Sequence, residues 1–245
     1  MKAMILAAGL GTRLRPLTNK LPKALVRFNN KALLAYIIGK LQYFGFDDLI
    51  INLHHHAEMI RQYILENHPD LKIEFSDESD QLLDTGGGLY HASWFFDLHE
   101  PFLVYNVDIF TDLDLHKLYQ SHLNSGALCT LAVSKRMTSR SLLFDAQMNL
   151  RAWKNNLTAE TKIPGNLPVK TTDLAFSGIA VYSPRIFGLM KETAGKNPCF
   201  SIIDVLLQLS ITNSIRAYDH SGGKWFDMGK KESYELRPEM FAGCF

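Results

Sequence analysis

The sequence predicts an α/β fold: a Rossmann-like mixed, mainly parallel sheet flanked by helices, with a smaller, more antiparallel part. Two observations carry the prediction. Short apolar, β-prone runs alternate with segments of helical period through the first half of the chain, as parallel strands joined by helical crossovers do. In the second half the connections between such runs become too short for helical crossovers, so the pairing there is expected to turn antiparallel. A chain of 245 residues can bury a substantial core. One domain is expected, its first half covering about 1–112 and its second about 113–245.

Residues 3–7 (AMILA) read as a buried first strand, followed by a long loop to about Asn30. Leu33, Leu34, Ile37, Ile38, Leu41 and Phe44 form one helical stripe, which Gly45 ends. Leu49–Leu53 is a second strand, Ala57–Asn67 a helix, Leu71–Phe75 a strand, Gly86–Ser93 a short helix and Phe102–Tyr105 a strand. Asp114–Ser125 is expected to be helical, then Ala127–Val133, Leu142–Phe144 and Leu150–Lys154 extended. The stretch 155–172 lacks periodicity and reads as a loop or mobile flap. A strand at Asp173–Tyr182, helices after Pro184 and over Ile202–Leu209, and a strand at Ile215–Tyr218 complete the pattern. The tail from Lys230 to about Leu236 reads as helical until Pro238 stops it. No hexapeptide pattern is present that would add a C-terminal β-helix.

With 26 Lys+Arg against 25 Asp+Glu, the chain lacks the basic field of a typical nucleic-acid binder, and no nucleic-acid partner is expected. Yet residues 1–46 hold eight basic groups and no acid, which fits a small polyanionic ligand as well as a solvated basic face. Cys129, Cys199 and Cys244 are widely spaced and form no CxxC pair, so they read as thiols in a reducing compartment. No run approaches a membrane span, and Ala3–Ala8 is too short for a signal peptide. No membrane partner and a cytoplasmic location are expected.

The most informative stretch is Ala7-Ala8-Gly9-Leu10-Gly11-Thr12-Arg13-Leu14-Arg15-Pro16-Leu17-Thr18, with Leu21-Pro22-Lys23 after it. Glycines after a first strand let backbone N–H groups approach a phosphate chain, which Arg13 and Lys23 can neutralise. Position 14 is leucine, so the third glycine of the dinucleotide fingerprint is missing, and the first acid is Asp47. A Walker A loop is absent as well. A Rossmann dehydrogenase is thereby disfavoured.

This loop resembles the AAGxGTRLxPLTxxxPKxL signature of the sugar-phosphate nucleotidyltransferases. The resemblance implies the nucleotide-diphospho-sugar transferase type of fold, in which the smaller half binds the sugar phosphate. It implies that Ala7, Ala8, Gly9, Gly11 and Thr12 line the nucleotide, that Arg13 contacts its phosphates and that Lys23 bridges nucleotide and sugar phosphate. Tyr105-Asn106-Val107-Asp108 stands where relatives carry a strand and N-G-D, and Trp225-Phe226-Asp227-Met228-Gly229 resembles their W-x-D-x-G. By that likeness Asp108 and Asp227 are ligands of Mg²⁺, while Asn106, Ser177 and Gly178 border the sugar. Taken alone, Asp108 also fits a helix cap or loop acid, and Asp227 a turn residue beside Gly229.

The chain departs from the family at Val107, where relatives carry glycine, and at Lys230-Lys231, where they carry T-P. The relatives' V-E-K-P segment is replaced by Arg151-Ala152-Trp153-Lys154-Asn155, which leaves Lys154 as the candidate for a sugar-phosphate contact. Asp84-Thr85-Gly86-Gly87-Gly88 stands at the family's nucleotide-specificity segment, where a glycine-rich helix start can approach a base or ribose, or simply make a tight junction. The usual base-reading glutamine aligns with Ser79, with Gln81 two residues on.

The Leu82-Leu83-Asp84-Thr85-Gly86-Gly87-Gly88 form resembles enzymes that make UDP-N-acetylmuramate from N-acetylmuramate 1-phosphate, and also mannose-1-phosphate guanylyltransferases. The expected partners are therefore a nucleoside triphosphate, foremost UTP, and a sugar 1-phosphate. Alternatives are a guanylyltransferase, a phosphocholine cytidylyltransferase, or a silent nucleotide-binding regulatory relative. His54-His55-His56 is not an HExxH set and is assigned no metal. Ser177 is assigned no nucleophilic role, because it lacks a GxSxG elbow and nothing is expected to pair it with a histidine.

Overall fold

The computed structural model describes residues 1–166, 168, 170–195 and 197–244. In chain order the elements are β1 (Lys2–Leu6), β2 (Arg27–Phe28), β3 (Lys31–Ala32), α1 (Leu33–Tyr43), β4 (Asp48–Leu53), α2 (Ala57–Asn67), β5 (Ile73–Asp77), α3 (Asp84–His91), β6 (Phe102–Asn106) and β7 (Ile109–Thr111). There follow α4 (Leu115–Ser125), β8 (Cys129–Ser134), β9 (Arg140–Phe144), β10 (Leu150–Asn155), β11 (Thr161–Lys162), β12 (Thr172–Tyr182), α5 (Ile186–Ala194), α6 (Ile202–Leu209), β13 (Ile215–Asp219) and β14 (Trp225–Asp227). The chain forms two compact units, both discontinuous in sequence. The first comprises Met1–Leu83, Val104–Leu115 and Gly223–Phe245, and the second Asp84–Leu103 and His116–Gly222.

The first unit holds the parallel part of the expected α/β fold. β1 pairs in parallel with β4 and β4 with β5, while β6 lies on the other side of β1. Ala3, Met4, Ile5, Leu49, Ile50 and Ile51 are fully buried, which is why these strands read as continuous apolar runs. Leu33, Leu34, Ile37, Ile38 and Leu41 of the expected stripe are buried on α1, whereas Phe44 lies just past the helix and is half-buried; the helix closes with Phe46 N–H donating to Leu41 O beside Gly45 at φ 77°. Lys40, on the same helix, is buried and donates Nζ to Thr111 O of β7 at 2.8 Å, and burial pushes its ammonium pKa down.

Two segments of this unit differ from the sequence-based expectation. The long loop to Asn30 contains 3₁₀ turns at Thr12–Leu14, Leu17–Asn19 and Lys23–Leu25, then a hairpin of β2 and β3. Asn29 and Asn30 turn that hairpin at φ 47° and 62°, the left-handed pair of a type I′ turn that asparagine tolerates. The tail is a 3₁₀ turn over Lys231–Glu235, and Pro238 begins a second one at Pro238–Phe241. Proline's fixed φ suits a first helical position, so Pro238 starts a turn where a stop was expected. Phe241 is fully buried, with its ring 4.6 Å from Phe28 and 4.4 Å from Phe226.

The second unit is largely antiparallel. β12 pairs with β8 and β9, β9 with β10, and β10 with β11, whereas β13 runs parallel to β8. Part of the stretch expected to be a loop or flap is therefore a strand, because Thr161 and Lys162 pair with Lys154 and Trp153. Positions 167 and 169 of that stretch lie outside the described residues. Phe96, Phe102, Tyr182 and Phe187 stack in the core beneath the strands. Among the described residues no helix is long and apolar enough to cross a membrane.

Candidate active site

The glycine-rich turn leaves the carboxyl end of β1 under tight control. Asn52, near the end of β4 and 3% exposed, accepts from Ala7 N–H at 2.7 Å and Ala8 N–H at 3.3 Å through Oδ1. Gly11 takes φ 62°, and its carbonyl accepts from Thr18 Oγ1 at 2.8 Å. A Cβ there would lie 2.9 Å from Thr18 Cγ2 and 3.1 Å from Lys23 Cβ, so the turn needs glycine on two counts. At Gly9 a Cβ would come within 3.6 Å of Lys23 Nζ, so the lysine crosses close over the turn.

Asp108 and Asp227 are brought together by a two-strand ribbon with no strong signal in the sequence. β6 ends at Asn106, Val107 donates its N–H to Leu6 O at 3.2 Å, and Asp108 follows at the strand's carboxyl edge. β7 then pairs antiparallel with β14, in a register that sets Asp227 opposite Ile109. Met228 N–H donates to Asp108 O at 2.7 Å. This short ladder places the two carboxylates side by side.

The two cations predicted from the loop meet these two acids. Lys23 Nζ lies 2.9 Å from Asp108 Oδ2, with side-chain exposures of 14% and 7%. Arg13 Nη1 donates to Asp227 Oδ2 at 2.8 Å and Nη2 to Oδ1 at 3.4 Å, while Nη2 lies 3.9 Å from Asp108 Oδ2. Gly229 donates its N–H to Asp227 Oδ1 at 2.9 Å, and a Cβ on it would lie 2.6 Å from Asp108 Oδ2 and 2.9 Å from Asp227 Oδ1. One point thus has an oxygen of each carboxylate within 3 Å. Tyr234, which the sequence does not single out, buries its hydroxyl in the same region. Burial, then the charges of Asp108 and Asp227, raise its pKa.

The remaining predicted residues belong to the second unit, except Asn106 at the end of β6. α3 begins at Asp84, and the Gly86 and Gly87 amides both donate to Phe200 O, at 2.9 and 3.2 Å. A Cβ at Gly86 would meet the Phe200 ring at 2.5 Å, so this glycine serves close packing. Thr85 Oγ1 accepts from Ile202 N–H, and Thr85 N–H donates to Asp84 Oδ1. Lys154 stands 3.7 Å from Asp173.

Ser177 and Gly178 sit at an irregularity of β12 against β8, where Gly178 takes φ 77°. The expectation that nothing pairs Ser177 with a histidine is corrected: its Oγ lies 2.8 Å from His220 Nε2, and Arg136 Nη1 donates to it at 3.2 Å. Arg151 is taken up by Asp145, at 2.7 Å. Burial opposes the charge of Asp145, but hydrogen bonds from Asn149, Arg151 and Gln147 outweigh it and hold the pKa low.

Comparison with known proteins adds to this geometry. Residues 2–142 match the family model of the nucleotidyl transferases. A mannose-1-phosphate guanyltransferase of Hypocrea jecorina is 37% identical over 138 residues, covering 55% of this chain and 38% of that protein. An N-acetylmuramate alpha-1-phosphate uridylyltransferase of Caulobacter vibrioides is 42% identical over 93 residues, covering 37% of this chain and 38% of the relative. The matches therefore span less than two fifths of these relatives' lengths.

Among solved structures, HddC from Yersinia pseudotuberculosis complexed with GMP-PN superposes with a TM-score of 0.75 at 24% identity, covering 98% and 99% of the two chains. A UDP-glucose pyrophosphorylase complexed with UDP-glucose gives 0.75 at 20%, covering 98% and 97%. These similarities extend the shared fold along nearly the whole chain. Since the sequence match begins in β1, runs through the loop of Arg13 and Lys23 and passes beyond Asp108, the protein belongs to the nucleotidyl transferase family.

Proposed function

We propose that this protein is a sugar-1-phosphate nucleotidyltransferase that transfers a nucleoside monophosphate from a nucleoside triphosphate to a sugar 1-phosphate. The observation that carries the proposal is the convergence of Arg13, Lys23, Asp108 and Asp227, residues separated by up to 214 positions, beside a glycine-rich turn. A phosphate oxygen of the sugar 1-phosphate attacks the α-phosphorus of the triphosphate in line. The new P–O bond forms as the bond to the β-phosphate bridge breaks, and pyrophosphate leaves with that electron pair. The nucleophile is already anionic near neutral pH, so alignment and charge neutralisation carry the catalysis without a general base. Arg13 holds the phosphates with a planar fork, and Lys23 bridges the two substrates as a point charge.

The donor set suits Mg²⁺. Asp108 and Asp227 would hold it, and phosphate oxygens would complete its shell, since Mg²⁺ commonly rests on one or two carboxylates plus substrate. Among the described residues no group of three or more His, Cys, Asp or Glu side chains could hold a metal. When bound, Mg²⁺ supplies charge neutralisation on the transferring phosphate. Asn106, Lys154, Ser177 and Gly178 are proposed to border the sugar, and Ala7, Ala8, Gly9, Gly11, Thr12 and Asp84–Gly87 to line the nucleotide.

For the substrates, UTP with N-acetylmuramate 1-phosphate is the first reading, supported by the Leu82–Gly88 form and by the 42% identity to an N-acetylmuramate alpha-1-phosphate uridylyltransferase. GTP with mannose 1-phosphate is the second, supported by the longer match to a guanyltransferase. The test is pyrophosphate release with Mg²⁺ across UTP, GTP, CTP and dTTP, each paired with N-acetylmuramate, mannose, glucose and N-acetylglucosamine 1-phosphates and phosphocholine. Release with one pair supports the reaction and names the substrates. Silence throughout, with nucleotide still raising the melting temperature, would favour a regulatory relative.

A further inference from the structure

We infer that Asn52 and Glu78 are positioning residues that set the nucleotide-holding turn from beneath, an inference that rests on the reading of residues 7–23 as a nucleotide site. Both side chains are 3% exposed, and neither belongs to the loop motif or to the pair of metal acids. Their hydrogen bonds form one chain. Ala7 and Ala8 N–H donate to Asn52 Oδ1, Asn52 Nδ2 donates to Glu78 Oε1 at 2.7 Å, and Leu83 N–H donates to Glu78 Oε2 at 3.2 Å. The chain thus joins the entrance of the glycine-rich turn to Leu83, the residue preceding the segment Asp84–Gly87.

Three features separate this arrangement from ordinary core packing. A buried carboxylate is costly and is retained only where its oxygens are satisfied, and here each oxygen serves a different segment. The Ala7 and Ala8 amides face Asn52, so the turn presents its remaining groups, from Gly9 onward, to a ligand. The polarity is also directional: Asn52 must accept on one side and donate on the other, which leucine or an ionised aspartate cannot do there. A displacement of the Ala7–Ala8 peptide would move Gly9 and Gly11, and with them the backbone under Lys23.

The directionality supplies the test. In Asn52→Asp two carboxylates face each other, and in Glu78→Gln either Leu83 N–H or Asn52 Nδ2 meets an amide donor. The double variant Asn52→Asp/Glu78→Gln reverses the central bond and keeps these four hydrogen bonds, because the amide introduced at position 78 would donate to the carboxylate introduced at position 52 and accept from Leu83 N–H. KM for the nucleoside triphosphate, KM for the sugar 1-phosphate, kcat and the melting temperature are measured for all three variants and the parent, using the substrate pair found active in the parent.

Each single substitution is expected to raise the triphosphate KM roughly tenfold or more, as the loss of a buried, charge-assisted hydrogen bond does, and the sugar-phosphate KM less than about threefold. The double variant is expected to return the triphosphate KM to within about threefold of the parent. A double variant no better than the worse single, or equal changes in both KM values, would overturn the inference. Should Asn52→Asp fail to fold, Glu78→Gln against the double variant makes the same comparison. An inactive parent protein would instead refute the proposed function, so the two failures are distinct.

Discussion

Gly229→Ala tests whether the carboxylate pair is the working centre of the protein, because the added methyl falls between the two acids. Its Cβ would lie 2.6 Å from Asp108 Oδ2, 2.8 Å from Arg13 Nη2 and 2.9 Å from Asp227 Oδ1. Ordinary contact begins near 3.4 Å, so Asp108 must retreat by about 0.8 Å and Asp227 by about 0.5 Å. Arg13 can swing away, since its side chain is 56% exposed, but the acids are nearly buried and hold Lys23 and the Gly229 amide. A misplacement of about 1 Å in a reacting constellation costs roughly a hundredfold in rate. The expected kcat is therefore about one hundredth of the parent's.

Stability should change far less in the same variant. Overpacking costs roughly 1–3 kcal/mol, and the stiffer unfolded chain returns about 0.4–1 kcal/mol, so the melting temperature should fall by no more than roughly 10 °C. Pyrophosphate release at saturating substrate, paired with a thermal melt, reads both quantities. The control is Gly188→Ala in α5, where a Cβ meets nothing within 4 Å. That change should leave kcat alone and add up to about 1 kcal/mol of helix stability. Parental kcat in Gly229→Ala would refute the reasoning, as would a loss of activity that merely follows loss of the fold.

Gly86→Ala should cost stability, because its Cβ meets the Phe200 ring at 2.5 Å and Phe200 O at 2.8 Å, and backbone cannot swing aside. A loss of about 1–3 kcal/mol in denaturant unfolding is expected, and an unchanged midpoint would contradict it. Asp108→Ala and Asp227→Ala should each reduce pyrophosphate release below about one hundredth of the parent rate, with circular dichroism unchanged. EDTA should stop release in the parent and added Mg²⁺ restore it; release that persists in EDTA would exclude the metal assignment.

The pH dependence of stability should carry the signature of His122. It is 2% exposed, its Nδ1 lies 3.0 Å from Thr130 Oγ1, and burial lowers its pKa to about 4. The unfolded histidine takes up its proton near pH 6.5, so the folded state binds fewer protons between pH 6.5 and 4. The stability this group contributes is complete above pH 6.5 and drains away as pH falls toward 4, by up to about 3 kcal/mol. Denaturant melts at about pH 7 and about pH 4.5 should show a smaller acid loss in His122→Gln than in the parent.

What the sequence made legible followed from local chemistry. Continuous apolar runs marked β1 and β4, the six-residue stripe marked α1, and the charge-bearing glycine turn marked Arg13 and Lys23. Ala57–Asn67 is helical over the residues expected. The ribbon of β7 and β14 escaped because three-residue strands carry too few positions for a period, and their pairing lies far apart in sequence. The Asn29-Asn30 turn did carry a signal, two adjacent residues that tolerate positive φ, but the strands around it are only two residues long. Asn52 and Glu78 read as one polar position in an apolar strand and one acid among several. Their joint role exists only where β4 and the segment after β5 meet. Ser177 and His220 are likewise 43 residues apart, and nothing local links them.

The placement of β14 also gives the protein a time order. Arg13 and its acid partner Asp227 are separated by 214 residues, and the strand pairing that seats Asp227 waits until synthesis has passed β14. On a ribosome adding roughly 5–20 residues per second, the turn with Arg13 and Lys23 would wait about 10–40 s for that acid. During synthesis β1, β4 and β5 can already pair, so the nascent chain owns a sheet before it owns a complete charge constellation. Phe241 enters later still, completing the aromatic cluster with Phe28 and Phe226. The charge constellation is complete only once β14 has paired with β7, and a nascent chain stalled before Asp227 would hold the basic turn without its second acid.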